Sequence, residues 1–337
     1  TIAGRRPPGR RRPRPVPKRP QPAPTATVAP SDLETKLRRG QFVVTVELRP
    51  PPGADADRTL HEAALVEEAG ADAILIGPSA GYRSHMSSLA LGVLLRERQR
   101  IDTVLTATTA DKSLTSLEAD LLGACALGLR SVVCQTGNPP LRGDYPNTAG
   151  IWDVDSIDLI RVLRSIPGRA ERSDPHSRSM FFLGARVNPG AADRGAELER
   201  AWRKIDSGAD FLVTQPVYDL DALRSLREEL GQATVPMLAT VTPLRDLHHA
   251  EYLRHEVPDT AVPERLVERM AHAGDGAPEV GLEIACELLS EARDLMQGFH
   301  LASAVASATE SVQLLREWQG AGGADPVDPA PPGRTSS

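Results

Sequence analysis

Cysteine is nearly absent. The chain has three, Cys125, Cys134 and Cys286, far apart and in apolar surroundings. No spacing among them suits a zinc or iron–sulfur site, so they read as small core residues in a reducing compartment, which makes the chain a cytoplasmic one by expectation. No apolar run approaches the roughly 20 residues needed to span a bilayer, and no signal-peptide core is legible. A Gly-x-Gly-x-x-Gly turn after the first strand is also missing, which weakens the case for an open dinucleotide-binding sheet. Metal centres, membrane spans and the simplest nucleotide fold thus have no support.

What is present is a 337-residue chain, 40% hydrophobic and 25% charged, enough for one large core. Its net charge of -6 is unevenly spread. Residues 1–30 hold eight basic side chains and no acidic one, so the remainder is more acidic than the total. Such a body repels nucleic acid, and only the tail could meet a polyanion. Residues 1–30 are Pro/Arg-rich with almost no large apolar side chain and read as a disordered tail. Residues 320–337, rich in Gly, Ala and Pro, read as a second tail, leaving residues 31–319 as the folded unit.

Between the tails, short apolar runs alternate with amphipathic segments. Strands are expected at 42–47, 73–76, 103–106, 131–135, 181–187, 211–215, 237–241 and 299–301. Helices are expected at 59–69, 84–98, 116–127, 156–163, 197–207, 219–230, 282–295 and 309–318. Alternation without hairpin signals means a parallel sheet with helices outside, and eight units in one folded body match a single closed (βα)8 barrel, an α/β fold. An exposed ring of helices leaves room for a homo-oligomer.

In such a barrel chemistry sits where strands end. The first ends Glu47-Leu48-Arg49-Pro50, and an acidic residue inside an apolar strand is costly unless paired or used. The fourth runs into a polar turn, Thr136-Gly137-Asn138-Pro139-Pro140, with Gly143 and Asp144 beyond, suited to close backbone approach to a ligand. The fifth, sixth and seventh end Asn188-Pro189, Gln215-Pro216 and Thr242-Pro243. Pattern alone therefore gives a barrel enzyme whose site includes Glu47, Asn138 and Gln215.

The same residues carry a resemblance. The stretch Val44 to Pro51 around Glu47, the Thr136 to Pro140 turn with Gly143 to Pro146, and the run Lys204 to Asp219 containing Gln215 are similar to the methylenetetrahydrofolate reductase family. Residues 121–128, 152–160, 188–189, 255–258, 263–270 and 296–300 extend the likeness in order from about 41 to 318. It looks closest to the reductase half of bifunctional homocysteine methyltransferase/reductase proteins. The resemblance implies a barrel with FAD on its C-terminal rim, NADH or NADPH as reductant, and 5,10-methylenetetrahydrofolate as the substrate that becomes 5-methyltetrahydrofolate.

It also implies roles. Glu47 matches the catalytic glutamate that protonates the leaving nitrogen of the folate, for which burial should raise its pKa. The competing role is a salt-bridged glutamate at the barrel mouth. Gln215 matches a folate-contacting amide, against a loop cap. Lys204 matches a lysine that meets the flavin phosphates, against an exposed helix lysine. Thr136 and Gly137 fall in the flavin-side loop, against a plain turn. Asn138 stands where the family has aspartate, near both flavin and pterin, and Asp144 either compensates or serves the turn.

Further departures fall at Val104, where many members have a flavin-contacting histidine, at Gly77, at 110–113, where only Asp111 of an Arg-Asp-x-Asn run survives, and at Ala306. They keep two other functions in view: a flavin-free folate-dependent one-carbon transfer component, and a non-catalytic folate-binding descendant. NADH against NADPH is not legible, since no ribose-phosphate motif is present.

Overall fold

Each short β-branched run forms one staves-like strand, and each amphipathic run returns outside it. The computed structural model describes residues 31–77, 84–110, 112–137, 144, 151, 153–166, 180–231, 235–304 and 307–323. The tails expected at 1–30 and over most of 320–337 lie outside these residues. The order is α1 (Asp32–Arg38), β1 (Val43–Leu48), α2 (Asp57–Glu68), β2 (Ala73–Ile76), α3 (Ser88–Arg98), β3 (Asp102–Thr108), α4 (Leu114–Ala126), β4 (Ser131–Gln135), α5 (Ser156–Ser165) and β5 (Phe182–Val187). There follow α6 (Arg194–Asp206), β6 (Phe211–Pro216), α7 (Leu220–Leu230), β7 (Met237–Val241), α8 (Leu247–His255), α9 (Glu264–Ala273), α10 (Ala277–Ala292), β8 (Gly298–Leu301) and α11 (Thr309–Gly320). All neighbours pair parallel, and β8 closes on β1 through pairs such as Val44 with Phe299. The expected (βα)8 barrel is therefore observed.

Two cores result from the period-2 alternation of the strands. One face of each strand packs outward against the helices, as with Val46, Ile74, Leu105 and Val132. The other fills the barrel with Val43, Leu75, Val104, Val133, Phe182 and Phe211, where the two phenyl rings stack at 4.9 Å. Leu33 and Leu37 of α1 join this inner cluster and plug the barrel's lower end. That helix is absent from the sequence expectation because seven residues give too short a periodic signal.

The lower end is stitched by carboxylates. Asp72 accepts from Val44 N at 2.6 Å, Asp210 from Leu183 N at 2.7 Å, and Asp102 from Leu33 N at 2.7 Å. Lys36 and Arg164 pair with Asp72 and Asp210. These polar residues serve the scaffold, so the opposite rim is left for chemistry. Cys125 and Cys134 are buried and Cys286 is half-buried, with burial the main cause of their raised thiol pKa values.

Between β7 and β8 the chain places three helices, α8 to α10, where the sequence pattern showed one. Gly281 of α10 is buried directly against the carbonyl of Leu244, which a Cβ would strike. Gly123 of α4 has nothing within 4 Å of that position. Both gain roughly 1 kcal/mol of helix propensity as alanine. Gly281→Ala should nevertheless lose about 1–3 kcal/mol through overpacking, while Gly123→Ala should gain a few tenths or more. Urea unfolding of the two variants checks this pair of opposite signs.

Candidate functional site

The inward face of β1 runs Val43, Thr45, Glu47, so a carboxylate is carried up inside the barrel to its C-terminal mouth. Its side chain is only 10% exposed. Arg49 Nε donates to Glu47 Oε1 at 3.2 Å, and Arg49 Nη2 donates to the carbonyl of Ser303 at 3.0 Å, which holds the guanidinium in place. On β8, the fully buried His300 sets Nε2 3.6 Å from Glu47 Oε2. That is an ion-pair distance but too long for a hydrogen bond, and Nε2 has no hydrogen-bond partner among the described residues. His300 Nδ1 lies 3.0 Å from Thr45 Oγ1.

Arg186 of β5 adds a second guanidinium. It is half-buried, donates to Thr214 O at 3.5 Å, and acts electrostatically on both Glu47 and His300. Sequence reasoning missed Arg186 and His300. The signal was available, because a charged residue inside the apolar runs of β5 and β8 is costly in the same way as Glu47.

This arrangement overturns one expectation. Burial does push the Glu47 carboxyl up, but His300, Arg49 and Arg186 together outweigh it and hold the group at about 2. Glu47 is thus an ion in this site and not a stored acid. For His300, burial and Arg186 lower the imidazole while Glu47 raises it, and the net direction is down. Gly77 explains itself here too. A Cβ at 77 would lie 2.7 Å from Glu47 Cδ, so the missing side chain is the space that the carboxylate occupies.

Gln215 reaches the same rim by a bulge. Val213 pairs with Leu238 but Pro216 pairs with Thr240, so β6 carries one extra residue. Thr240 N donates to Thr214 Oγ1 at 2.9 Å, and the Thr240 hydroxyl donates back to Thr214 O. The staple fixes Thr214 inside and leaves Gln215 exposed at the strand end.

The residues assigned to a flavin are placed differently. Lys204 is 5% exposed, and its ammonium donates to the carbonyl of Arg186 at 2.6 Å with Glu197 3.8 Å away. It ties α6 to β5, which is neither an exposed lysine nor one offered to a phosphate. Burial lowers its pKa, with Glu197 opposing. The Thr136 hydroxyl accepts from Ser156 N at 3.2 Å, and its carbonyl accepts from Ala110 N at 2.9 Å. Asp144 accepts from Ser84 N at 2.8 Å.

Gly137 does require glycine, since its φ is +81° and a Cβ would meet Thr108. Val104 is 1% exposed in the inner barrel cluster, so the departure there lies in the core and not at the mouth. Asn138, Asp111 and Ala306 lie outside the described residues. Among the described residues, the side chains assigned to FAD therefore do not fit a flavin pyrophosphate: the one assigned cation is sealed away. A cavity of about 290 Å³ opens beside β3, walled by Met86, Leu105, Leu117 and Leu121 with Lys112 and Asp120 lining it. It includes neither Glu47 nor Gln215.

Comparison with known proteins agrees with the fold and adds the lineage. The model of the methylenetetrahydrofolate reductase family matches residues 32–314. Methylenetetrahydrofolate reductase 2 of Schizosaccharomyces pombe is 22% identical over 222 residues, which is 63% of this chain and 34% of that protein. The 5,10-methylenetetrahydrofolate reductase of Escherichia coli K12 is 21% identical over 277 residues, 78% of this chain and 86% of that one. The chain thus spans about a third of the length of the fission-yeast relatives and most of the bacterial one. Among solved structures, EDTA monooxygenase (EmoA) from Chelativorans sp. BNC1 is 12% identical with a TM-score of 0.50, covering 85% of this chain and 95% of its own, which bears on fold alone.

The depressed Glu47 carboxyl has a consequence for stability. Its contribution is fully present above the unfolded-state pKa of about 4.3 and is lost as pH falls through about 2. The stability gap between wild type and Glu47→Gln should be widest above about pH 4.3 and close on acidification toward 2. Denaturant titrations at stepped pH read it directly.

Proposed function

Because this chain belongs to the methylenetetrahydrofolate reductase family, we propose that it reduces 5,10-methylenetetrahydrofolate to 5-methyltetrahydrofolate with NADH or NADPH as reductant. The observation that carries the reading is a largely buried carboxylate, Glu47, held at the barrel mouth beside Arg49, with the exposed amide Gln215 at the end of β6.

The folate's five-membered ring must open before its methylene carbon can accept hydride. Opening breaks the bond from that carbon to one nitrogen, which keeps the electron pair and needs a proton. Glu47 is the group placed to deliver it. Since its carboxyl is ionised in the unliganded site, the proton must be taken up as the ligand covers the mouth, when loss of water makes the charge costlier. Gln215 offers a donor and an acceptor to the edge of a pterin. Arg186 balances the carboxylate and keeps a positive potential at the floor of the site.

The family resemblance makes FAD the hydride carrier. The assigned residues present here fit it poorly, so the steps above concern the folate alone. The same misfit favours a second reading, flavin-free one-carbon transfer from folate, which needs Glu47 and Gln215 equally.

Anaerobic incubation with NADH or NADPH and 5,10-methylenetetrahydrofolate should yield 5-methyltetrahydrofolate by mass spectrometry. Glu47→Gln should lower the rate by about 10²–10⁴ while folate still binds. A colourless protein that takes up no added FAD and makes no 5-methyl product would favour the second reading. A protein whose bound flavin bleaches with NAD(P)H and recovers on adding the folate would support the first.

A further inference from the structure

Of the two guanidinium groups at the barrel mouth, one is held at both ends and the other is not. Arg49 donates through Nε to Glu47 at 3.2 Å and through Nη2 to Ser303 O at 3.0 Å. Arg186, on β5, makes a single side-chain hydrogen bond among the described residues, from Nη1 to Thr214 O at 3.5 Å. That length is at the outer limit for such a bond, and the same carbonyl already accepts from the Thr240 hydroxyl. A guanidinium carries more N–H donors than this carbonyl can use. Glu47 feels the charge of Arg186, yet the ion-pair contacts of Glu47 are with Arg49 and His300.

The barrel leaves the Arg186 side chain one direction to take. By strand alternation, Phe182, Gly184 and Arg186 share the inner face of β5. Phe182 stacks on Phe211 at 4.9 Å. The Phe211 ring also fills the place beside Gly184, where a Cβ would lie 2.5 Å from it. The layer beneath Arg186 is thus packed shut, and the half-buried guanidinium lies above it, on the side of the mouth. Its strand is fixed as well, because Lys204 Nζ donates to Arg186 O at 2.6 Å. Burial lowers the Arg186 pKa, with Glu47 opposing. A cation drawn from water without a full set of acceptors is a costly arrangement for stability alone. A ligand that brings the acceptors removes that cost.

Which acceptors fit follows from the neighbouring strand. Val187 pairs with Thr214, so Arg186 stands one residue before that pair on β5 and Gln215 one residue after it on β6. The exposed Gln215 amide offers a donor and an acceptor, and the guanidinium offers donors alone. A ligand edge that meets both must carry an acceptor toward Arg186 and an amide-like pattern toward Gln215. The pyrimidinone edge of a pterin has that pattern, a ring carbonyl next to a ring N–H.

We propose that Arg186 is a specificity-determining residue, which donates its free N–H groups to the ring carbonyl of a bound pterin beside Gln215. This contact rests on the folate reading above and is the means by which the site selects the oxo form of the pterin ring. A 4-amino-4-deoxy pterin puts an amino group where the carbonyl was. Two sets of donors then face each other, and the burial cost of the guanidinium stays unrelieved. Selection comes from the lost acceptor and not from shape, since the oxygen and the amino group are nearly the same size.

Isothermal titration of the full chain with 5-methyltetrahydrofolate, and with its 4-amino-4-deoxy analogue, tests the contact without turnover. Wild type should prefer the oxo ligand by about 10–100-fold, the range of a hydrogen bond to a charged group. Arg186→Met fills similar space without donors and should bring the two affinities within about threefold, mainly by weakening the oxo ligand. Arg186→Lys keeps the charge without the planar fork, and its preference should fall between those of the other two proteins. A preference that Arg186→Met leaves unchanged, or an equal loss for both ligands, overturns the contact and leaves folate binding standing. A wild type that binds both ligands equally overturns it too. Should Arg186→Met fail to fold, Arg186→Lys decides alone, and a preference equal to that of wild type overturns the contact. A wild type that binds neither ligand overturns the folate reading itself.

Discussion

One carboxylate inside a barrel sets the terms for everything around it. Left alone, Glu47 would be neutral, because a charge taken from water into a packed interior is expensive. It is not left alone. Arg49, fixed by the Ser303 carbonyl, and Arg186, rising from the opposite side of the barrel, supply two permanent positive charges, and His300 supplies a third when protonated. The result is an ion with its own counter-charges built into the strands. Gly77 is part of the same solution, since any larger residue would take the space the carboxylate needs.

This constraint separates the two ends of the molecule. At the lower end, Asp72, Asp102 and Asp210 accept backbone N–H groups, Asp72 and Asp210 also pair with basic residues, and α1 closes the floor with Leu33 and Leu37. At the upper end the interior becomes polar, and the β6 bulge turns Gln215 outward while Thr214 and Thr240 staple the strand beneath it. Lys204 belongs with the scaffold in this division. By holding the carbonyl of Arg186 it fixes the strand that carries the second guanidinium. Its contribution is thus the position of Arg186.

Much of this was legible beforehand, for identifiable reasons. Three of the strands, β2, β4 and β7, have the bounds that their apolar runs suggest, because parallel barrel strands are buried on both faces and end at polar or proline positions. Glu47 and Gln215 stood out as polar residues at strand ends, and both are at the rim. What escaped was set by three-dimensional pairing. The sign of the Glu47 shift depends on Arg186, which is 139 positions away in sequence and adjacent only once the barrel closes. Val104 looked like a lost mouth residue, yet strand alternation and depth put it in the core. Helices α1 and α8 are short with weak periodic signals and passed as connections, whereas α9 is strongly amphipathic, with Leu266, Val267 and Met270 buried on one face, so its pattern was legible and was missed.

The charge state of Glu47 is the claim on which the rest turns, and isotope-edited infrared spectroscopy of the unliganded full chain measures it. Comparison of wild type with Glu47→Gln isolates its carboxyl band. The account predicts an ionised carboxylate at neutral pH that stays ionised on acidification to about pH 3, below the ordinary glutamate range. A protonated carboxyl at neutral pH would mean that burial outweighs Arg49, Arg186 and His300, and would contradict the account at its centre.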